Sequence, residues 1–240
     1  MRTPDRRTIL KFQKRLLTWY AKHGRDLPWR RTRNPYRVLV SEVMLQQTQV
    51  DRVIPKYREF LRRYPTLERL AGADAGDVRR LWYPLGYNAR PYRLHQIARE
   101  TMASYGGRLP DRAEDLRRLP GVGRYTAGAV LAFAYGRDVA VLDTNVRRVL
   151  TRVFVGGGRA APAGGARVPR TNGDRVFWEL AAALVPRGRG YDFNQALMDF
   201  GATWCTPRSP RCRPCPMRRS CATYRAERRG REGADGRARG

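Results

Sequence analysis

Lysine, acidic side chains and long apolar runs are all scarce in this sequence of 240 residues. The lysines are Lys11, Lys14, Lys22 and Lys56, so arginine supplies nearly all of the 49 basic side chains, against 21 acidic ones. The formal charge of +28 excludes a preference for cationic partners and predicts strong, salt-sensitive attraction to nucleic acid. The competing interpretation is a genome-wide arginine bias, which would raise the charge without adding a function.

No apolar run approaches the roughly 20 residues that cross a bilayer. The chain enters an amphipathic pattern directly after residues 1–5, without the apolar segment of a secretory signal. We therefore expect a soluble, cytoplasmic, nucleoid-associated monomer with no membrane partner. Disulfides are disfavoured in that compartment.

Helical periodicity runs through most of the chain, with no strand-rich region and no internal repeat. Residues 8–20 form an amphipathic pattern that Gly24 is expected to end, and comparable patterns recur as far as Phe200. The fold class is therefore all-α. Residues 156–172 are rich in glycine, alanine, arginine and proline and are expected to form a mobile loop, and the charged residues from about Ala226 onwards are expected to be disordered.

A glycine turn, LPGVG from Leu119 to Gly123, opens onto a helical pattern that begins near Tyr125. A helix N-terminus behind such a turn offers unpaired N–H groups and the positive end of a dipole, which together favour phosphate. The same turn could be a helical corner that binds nothing. It is not a Walker loop, because Arg124 and Tyr125 replace the Lys-Ser/Thr pair, and a helix rather than a strand precedes it.

Two carboxyl groups stand out by their surroundings. Glu42 is the sole acid in the apolar stretch 36–45, where burial would raise its pKa and suit a general acid, unless it lies on the polar side of its helix. Asp143 follows a short apolar run and precedes Thr144 and Asn145, where it could cap a new helix.

Three further segments carry groups that suit contact with nucleic acid. Arginines surround Trp29 in residues 25–30, an arrangement that suits stacking on a base, although a packed loop with solvated arginines explains it equally well. The amides of residues 46–49 could read base edges. Gly86-Tyr87 is a possible close-approach turn with an aromatic wedge, or else Tyr87 is a core residue.

The four cysteines of the chain lie within 17 residues, in a C-x6-C-x2-C-x5-C pattern made by Cys205, Cys212, Cys215 and Cys221. Four thiolates so placed can bind zinc or a [4Fe–4S] cluster, and the spacing alone does not choose between them.

Taken together, these segments resemble the helix-hairpin-helix DNA glycosylases that carry an iron–sulfur cluster, and most of all the MutY-type adenine DNA glycosylases. The likeness extends from about residue 25 to residue 224. It rests on LPWR from Leu27, SEVMLQQT from Ser41, LPGVG from Leu119, Asp143 with Asn145, FNQALMD from Phe193, and the four-cysteine spacing.

The resemblance implies a helix-hairpin-helix DNA glycosylase fold with a six-helix barrel domain over residues 29–137. It implies a [4Fe–4S] cluster domain from residues 1–28 and 138–225, with the cysteines binding this cluster rather than zinc, and a disordered basic tail over residues 226–240. Double-stranded DNA containing a mispair or a damaged base would lie in the cleft between the domains.

The resemblance also implies roles for individual residues. Glu42 would protonate the extruded base, Asp143 would stabilise the developing sugar cation, and Tyr125 would support the reaction centre. The base pocket would be lined by Arg25, Leu27, Trp29 and Arg30. The strand opposite the extruded base would be contacted by Gln47, Thr48 and Tyr87. The backbone amides of Gly121, Val122 and Gly123 would bind phosphate.

The implied reaction is hydrolytic removal of adenine mispaired with 8-oxoguanine or guanine. Lyases of this superfamily use a lysine where this chain has Tyr125, so a monofunctional glycosylase is expected. The alternative is a mismatch glycosylase that acts on thymine or uracil opposite guanine, since those enzymes share this tyrosine. In addition, MutY-type enzymes usually carry a C-terminal domain that recognises 8-oxoguanine, and the sequence holds no counterpart of it. A non-catalytic DNA-binding module is a third possibility, which the joint presence of Glu42, Tyr125 and Asp143 disfavours.

Overall fold

The structure, a computed structural model, describes residues 3–86, 89–156 and 172–237. Every regular element in these ranges is helical, which confirms the all-α prediction. The α-helices are α1 (Arg6–His23), α2 (Pro35–Leu45), α3 (Val50–Arg63), α4 (Leu67–Ala71), α5 (Ala75–Trp82), α6 (Ala89–Ser104), α7 (Ala113–Leu116), α8 (Arg124–Phe133), α9 (Thr144–Leu150), α10 (Asn172–Leu184), α11 (Gly190–Thr203) and α12 (Ala222–Arg237). A 3₁₀ turn covers Pro28–Arg30 and a π-helical turn covers Thr151–Val155.

The described ranges leave out two segments for which the sequence makes predictions. The predicted DNA contact Tyr87 and residues 157–171 of the predicted mobile loop lie outside the described residues. Within the described ranges, no helix combines the length and the apolar character that a bilayer crossing requires.

The chain divides into two compact units. We call Asp26–Arg137 the hairpin unit, and Met1–Arg25 together with Asp138–Gly240 the cysteine unit. The sequence-based division places the first boundary after residue 28 rather than after Arg25, and the second boundary at the same position.

The hairpin unit contains α2 to α8, of which α7 is a single turn of four residues. Its helices begin where the sequence supplies caps: the Asn34 side chain accepts a hydrogen bond from the Arg37 N–H at 3.1 Å, and Asp74 caps α5 in the same way. Apolar residues at helical spacing then turn inward. The buried core includes Leu39, Met44, Phe60, Leu70, Trp82, Leu94, Ile97 and Val130.

The cysteine unit is built on α1 and on α9 to α12. Gly24 ends α1, as the sequence predicted, and the Asp5 side chain caps its beginning. Aromatic side chains join α1 to α11, with the Phe12 and Phe193 rings 6.2 Å apart and the Trp19 and Phe200 rings 5.1 Å apart, both edge to face. These rings form a core with aliphatic residues of α9 and α10.

The lysines are unevenly placed. Lys11, Lys14 and Lys22 are exposed on α1. Lys56, on α3, forms an ion pair with Glu59 at 2.7 Å.

The predicted disorder from residue 226 is wrong as far as Arg237, because α12 continues to that residue. Alanine, glutamate and arginine favour helix strongly enough to extend a helix that begins directly after Cys221, in spite of the interspersed glycines.

Candidate functional site

The helix-hairpin-helix of the hairpin unit consists of α7, the glycine turn and α8. Gly121 adopts a φ of +74°, a left-handed conformation that favours glycine, and a Cβ there would lie 2.8 Å from Cδ of Arg93 and would displace that side chain. The Val122 N–H donates to the Leu119 carbonyl at 3.1 Å inside the turn. Of the three predicted phosphate-binding amides, that of Val122 is therefore already engaged. Gly123 is the N-cap of α8, whose first-turn N–H groups have no acceptor within the helix.

Glu42 and Tyr125 meet in the hairpin unit. Glu42 lies on α2 and is only 3% exposed, which rejects the alternative that it faces solvent. Tyr125 lies in the first turn of α8, and its hydroxyl donates to Oε2 of Glu42 at 2.8 Å. Packing of α2 against α8 thus places a buried carboxyl group beside the helix that follows the glycine turn.

The four residues predicted to line a base pocket belong to different units. Leu27 and Trp29 are each 6% exposed in the hairpin unit, where the Trp29 ring packs edge to face on Tyr57 at 5.5 Å, and Arg30 is half-buried. Arg25 belongs to the cysteine unit.

Arg25, which is half-buried, forms an ion pair with a buried carboxylate within the cysteine unit. Its Nε and Nη2 atoms both lie 2.7 Å from Oδ1 of Asp199, and its backbone N–H donates to Oδ2 at 2.9 Å. The Asp199 carboxylate is fully buried on α11. This pairing fixes the end of α1 to α11, a role that sequence reasoning did not assign to either residue.

The predicted opposite-strand contacts Gln47 and Thr48 follow α2 directly. Gln47 is exposed and adopts a φ of +55°, a left-handed conformation that is uncommon outside glycine. Thr48 is half-buried, and its hydroxyl donates to the Gln46 carbonyl at 3.2 Å.

Asp143 lies in the cysteine unit as the N-cap of α9. Its Oδ1 atom accepts a hydrogen bond from the Val146 N–H at 2.6 Å, and its Oδ2 atom accepts one from the Asn145 side chain at 3.0 Å. Burial raises the pKa of Asp143 above the usual value of 3.8, in opposition to these two hydrogen bonds and to the positive charge of Arg148, which lower it. A carboxylate that is costly to ionise and held in one orientation is suited to stabilising a nearby cation.

Two residues of α11 hold the segment around Asp143. Asn194 is buried; its Oδ1 atom accepts from the Val141 N–H at 3.1 Å, and its Nδ2 atom donates to the Val139 carbonyl at 2.8 Å. Gly201 lets α11 approach α9, since a Cβ at this position would lie 2.8 Å from Cβ of Asn145. The extended run before Asp143 and the helix after it are therefore both fixed on α11.

The four cysteines line one cavity of the cysteine unit and form no disulfide. Burial raises the pKa of the Cys215 thiol to about 12 against a hydrogen bond from the Met217 backbone, and the three other thiols add to the rise. Within the described ranges, no three thiol, imidazole or carboxyl groups form a set that could hold a metal ion. The thiols are near enough to Cys215 to affect its pKa electrostatically.

Two arginines support the cysteine loop from α9 and the π-helical turn. Arg148 donates from Nε to the Cys205 carbonyl at 2.8 Å and from Nη2 to the Gly201 carbonyl at 2.6 Å. Arg152, 4% exposed, donates to the Thr206 and Pro207 carbonyls at 2.7 and 2.9 Å. These arginines satisfy carbonyl groups of a loop that has no regular structure of its own.

Sequence reasoning missed Arg90, Arg148, Arg152, Asn194 and Asp199 as organising residues. A signal was present for some of them: Asn194 and Asp199 lie among the apolar residues of FNQALMD, and Arg90 precedes Leu94 and Ile97 at helical spacing. A polar residue on an apolar helix face must find partners, which the sequence alone does not identify.

The structure thus combines a helix-hairpin-helix, with a buried carboxyl group beside its second helix, and a separate unit that bears four cysteines. The sequence matches the HhH-GPD superfamily of base excision DNA repair proteins over residues 40–163, and the chain belongs to this family.

The similar proteins include both adenine and thymine/uracil DNA glycosylases. The human adenine DNA glycosylase is 46% identical over 222 residues, which cover 89% of this chain but only 39% of that protein. The thymine/uracil-DNA glycosylase of Methanothermobacter thermautotrophicus is 36% identical, with 89% of this chain and 93% of the relative covered. A solved thermostable thymine-DNA glycosylase superposes with a TM-score of 0.82 at 35% identity, covering 92% of this chain and 98% of that one.

Proposed function

We propose that the chain is a monofunctional DNA glycosylase that removes adenine mispaired with 8-oxoguanine or guanine, acting on double-stranded DNA as a monomer. The observation that carries the proposal is the hydrogen bond between Tyr125 and the buried Glu42 at the start of the hairpin helix. The choice of adenine rests on the higher identity to the human adenine DNA glycosylase, 46% against 36% for the thymine/uracil relative.

The proposed chemistry assigns a different task to each carboxyl group. An enzyme that acts on a base must first extrude it from the stack. Glu42, kept away from water, supplies the proton that the departing adenine needs. Asp143 supplies negative charge to the oxocarbenium-like sugar that forms as the N-glycosidic bond breaks. Tyr125 orients Glu42 through its hydrogen bond. Because its side chain has no amine, it cannot serve as the nucleophile of a lyase reaction.

DNA is held in this proposal mainly by charge. The hairpin turn offers the first-turn amides of α8 to a phosphate, and the excess of 28 positive charges attracts the duplex as a whole. Gln47 and Thr48 are proposed to contact the strand opposite the extruded base.

A panel of duplexes tests the choice of base. Purified protein is given adenine opposite 8-oxoguanine, adenine opposite guanine, thymine opposite guanine, uracil opposite guanine and a fully paired duplex, and abasic sites are cleaved with alkali. We expect product from the two adenine mispairs, with little strand cleavage before alkali because there is no lyase lysine.

Thymine/uracil activity is the second candidate, favoured by the match over 93% of that relative's length. Product from the thymine or uracil duplexes alone would establish it and reject adenine. Binding without base release from any duplex would indicate the non-catalytic module instead.

We also propose that Cys205, Cys212, Cys215 and Cys221 bind a [4Fe–4S] cluster. The four thiols line one cavity of the cysteine unit, as ligands of a single bound group must. The choice of a cluster over zinc rests on the resemblance to the iron–sulfur DNA glycosylases. Bound iron would offset the cost that burial imposes on the thiolates.

Metal analysis checks this assignment. We expect brown protein with about four irons per chain. Cys215→Ser is expected to lose most of the iron and the visible absorbance, while Ser209→Ala, on the exposed part of the same loop, keeps both. A colourless, zinc-loaded protein with full activity would reject the cluster.

A further inference from the structure

Arg90 is among the most completely buried side chains in the described part of the hairpin unit. It lies near the start of α6 and is 1% exposed. A guanidinium group cannot lose its charge at neutral pH, so its burial demands compensation from the surrounding oxygens.

The compensation comes from two separate segments. Nη1 lies within hydrogen-bonding distance of four oxygens, which share its two hydrogens: the carbonyls of Val43 and Met44, at 3.2 and 2.8 Å, the carbonyl of Gln46, and the hydroxyl of Thr48. These groups belong to the last turn of α2 and the residues just after it. The carbonyls at a helix end have no partner within the helix and carry the negative end of its dipole, so they suit a buried cation.

The second segment is the turn before α6. Nη2 of Arg90 donates to the carbonyls of Leu85 and Gly86 at 3.0 and 2.9 Å. One planar group therefore joins the end of α2 to this turn. Lysine could not reproduce the arrangement, because its ammonium group lacks the planar fork with two separated nitrogens.

The residues held by Arg90 have unusual backbone conformations. Gln47, between two of the Arg90 partners, is exposed with a φ of +55°, and Gly86 has a φ of +73°. A glutamine in the left-handed region persists only where its surroundings fix it. The hydrogen bonds on both sides of Gln47 provide that constraint.

We propose that Arg90 is a positioning residue, whose buried guanidinium group locks exposed Gln47 and the Leu85–Gly86 turn into one arrangement that reads the strand opposite the extruded base. The recognition part of this inference rests on the proposed function. The structural part, that the two segments are coupled through Arg90, does not.

The coupling is tested by disturbing one segment and observing the other. Gly86→Ala strains a φ of +73° in an exposed turn, where the new Cβ would meet nothing within 4 Å, so the protein should still fold. We expect amide hydrogen exchange over residues 45–49 to quicken about 3- to 10-fold, although the substitution lies outside that segment. A change confined to the turn itself would overturn the coupling.

Recognition is tested with Arg90→Lys in an Asp143→Asn background, which removes turnover. We expect the ratio of affinities for mispaired over fully paired duplex to fall about 10-fold, with a similar fall in Gln47→Ala and little further loss in the double variant, because both disturb the same segment. Arg99→Met, which removes an exposed charge from the same helix, should leave the ratio unchanged.

The outcomes separate a positioning role from a purely structural one. The recognition role would be overturned if a folded Arg90→Lys variant kept the wild-type affinity ratio. It would also be overturned if the double variant with Gln47→Ala lost the product of the two single-variant reductions in that ratio. If Arg90→Lys does not fold, the affinity ratio is measured for Gly86→Ala instead, and a ratio equal to that of wild type would likewise overturn the recognition role. Absence of base release by wild-type protein from every duplex counts against the proposed function, and the exchange experiment still decides the coupling.

Discussion

Asp143→Asn is expected to reduce base release by about 10³-fold or more, which corresponds to roughly 4 kcal/mol of lost transition-state stabilisation. The substitution removes the negative charge that the proposed reaction places near the sugar cation. It keeps the shape of the side chain, and asparagine caps helices as well as aspartate does. The hydrogen bond from the Val146 N–H, 2.6 Å long in the structure, can therefore persist.

Single-turnover measurements with excess protein isolate the chemical step from product release. Affinity for a mispaired duplex should stay within a few-fold of wild type, and the melting temperature should change little. Asp192→Asn is the matched control, because it makes the same chemical change at a surface ion pair with Arg189 in the cysteine unit. If binding fell in step with activity, Asp143 would be only a helix cap.

The raised pKa of Asp143 gives this prediction a pH signature. The ionised carboxylate is the working form, and burial lifts its pKa above 3.8. Wild-type activity should therefore decline, as the solution is acidified, at a higher pH than an ordinary aspartate would produce. Asp143→Asn should lack this acidic limb in its residual rate.

Glu42→Gln is expected to slow base release by about 10²- to 10³-fold, within the range that a positioned general acid contributes. Glutamine matches glutamate in size and can still accept the hydrogen bond from Tyr125, but it has no proton to transfer. The buried site, 3% exposed, should accommodate it without a large change in stability.

The measurement is the single-turnover rate of base release with excess protein. Tyr125→Phe removes only the orienting hydroxyl and should cost about 10-fold. Glu100→Gln, at an exposed position on α6, serves as the control. A Glu42→Gln protein with wild-type rates would remove Glu42 from the mechanism.

Features set by nearby residues were predictable from the sequence. The glycine turn and α8 follow from local spacing, and the burial of Glu42 follows from the apolar residues around it on α2. Helix ends at Gly24 and caps at Asp143 are equally local. The error at α12 was also local, because glycine and charge were given more weight than the helix-forming residues between them.

Features that join distant segments were not predictable in the same way. Arg25 and Asp199 are 174 positions apart, and Asn194 binds the Val141 backbone from 53 positions away. Helical spacing could indicate that such polar residues face inward, but the identity of their partners depends on how the helices pack. The same applies to Arg90, whose acceptors in α2 lie 46 and 47 positions earlier.

The placement of the lysines has a practical consequence for attaching probes. Three of the four primary-amine side chains are exposed on α1 in the cysteine unit, and the fourth is paired with Glu59. An amine-reactive dye or a sensor surface would therefore couple mainly through one helix, leaving α8 and its glycine turn unmodified. Because arginine takes the place of lysine in most of the chain, amine-reactive labelling is concentrated on α1 without any substitution.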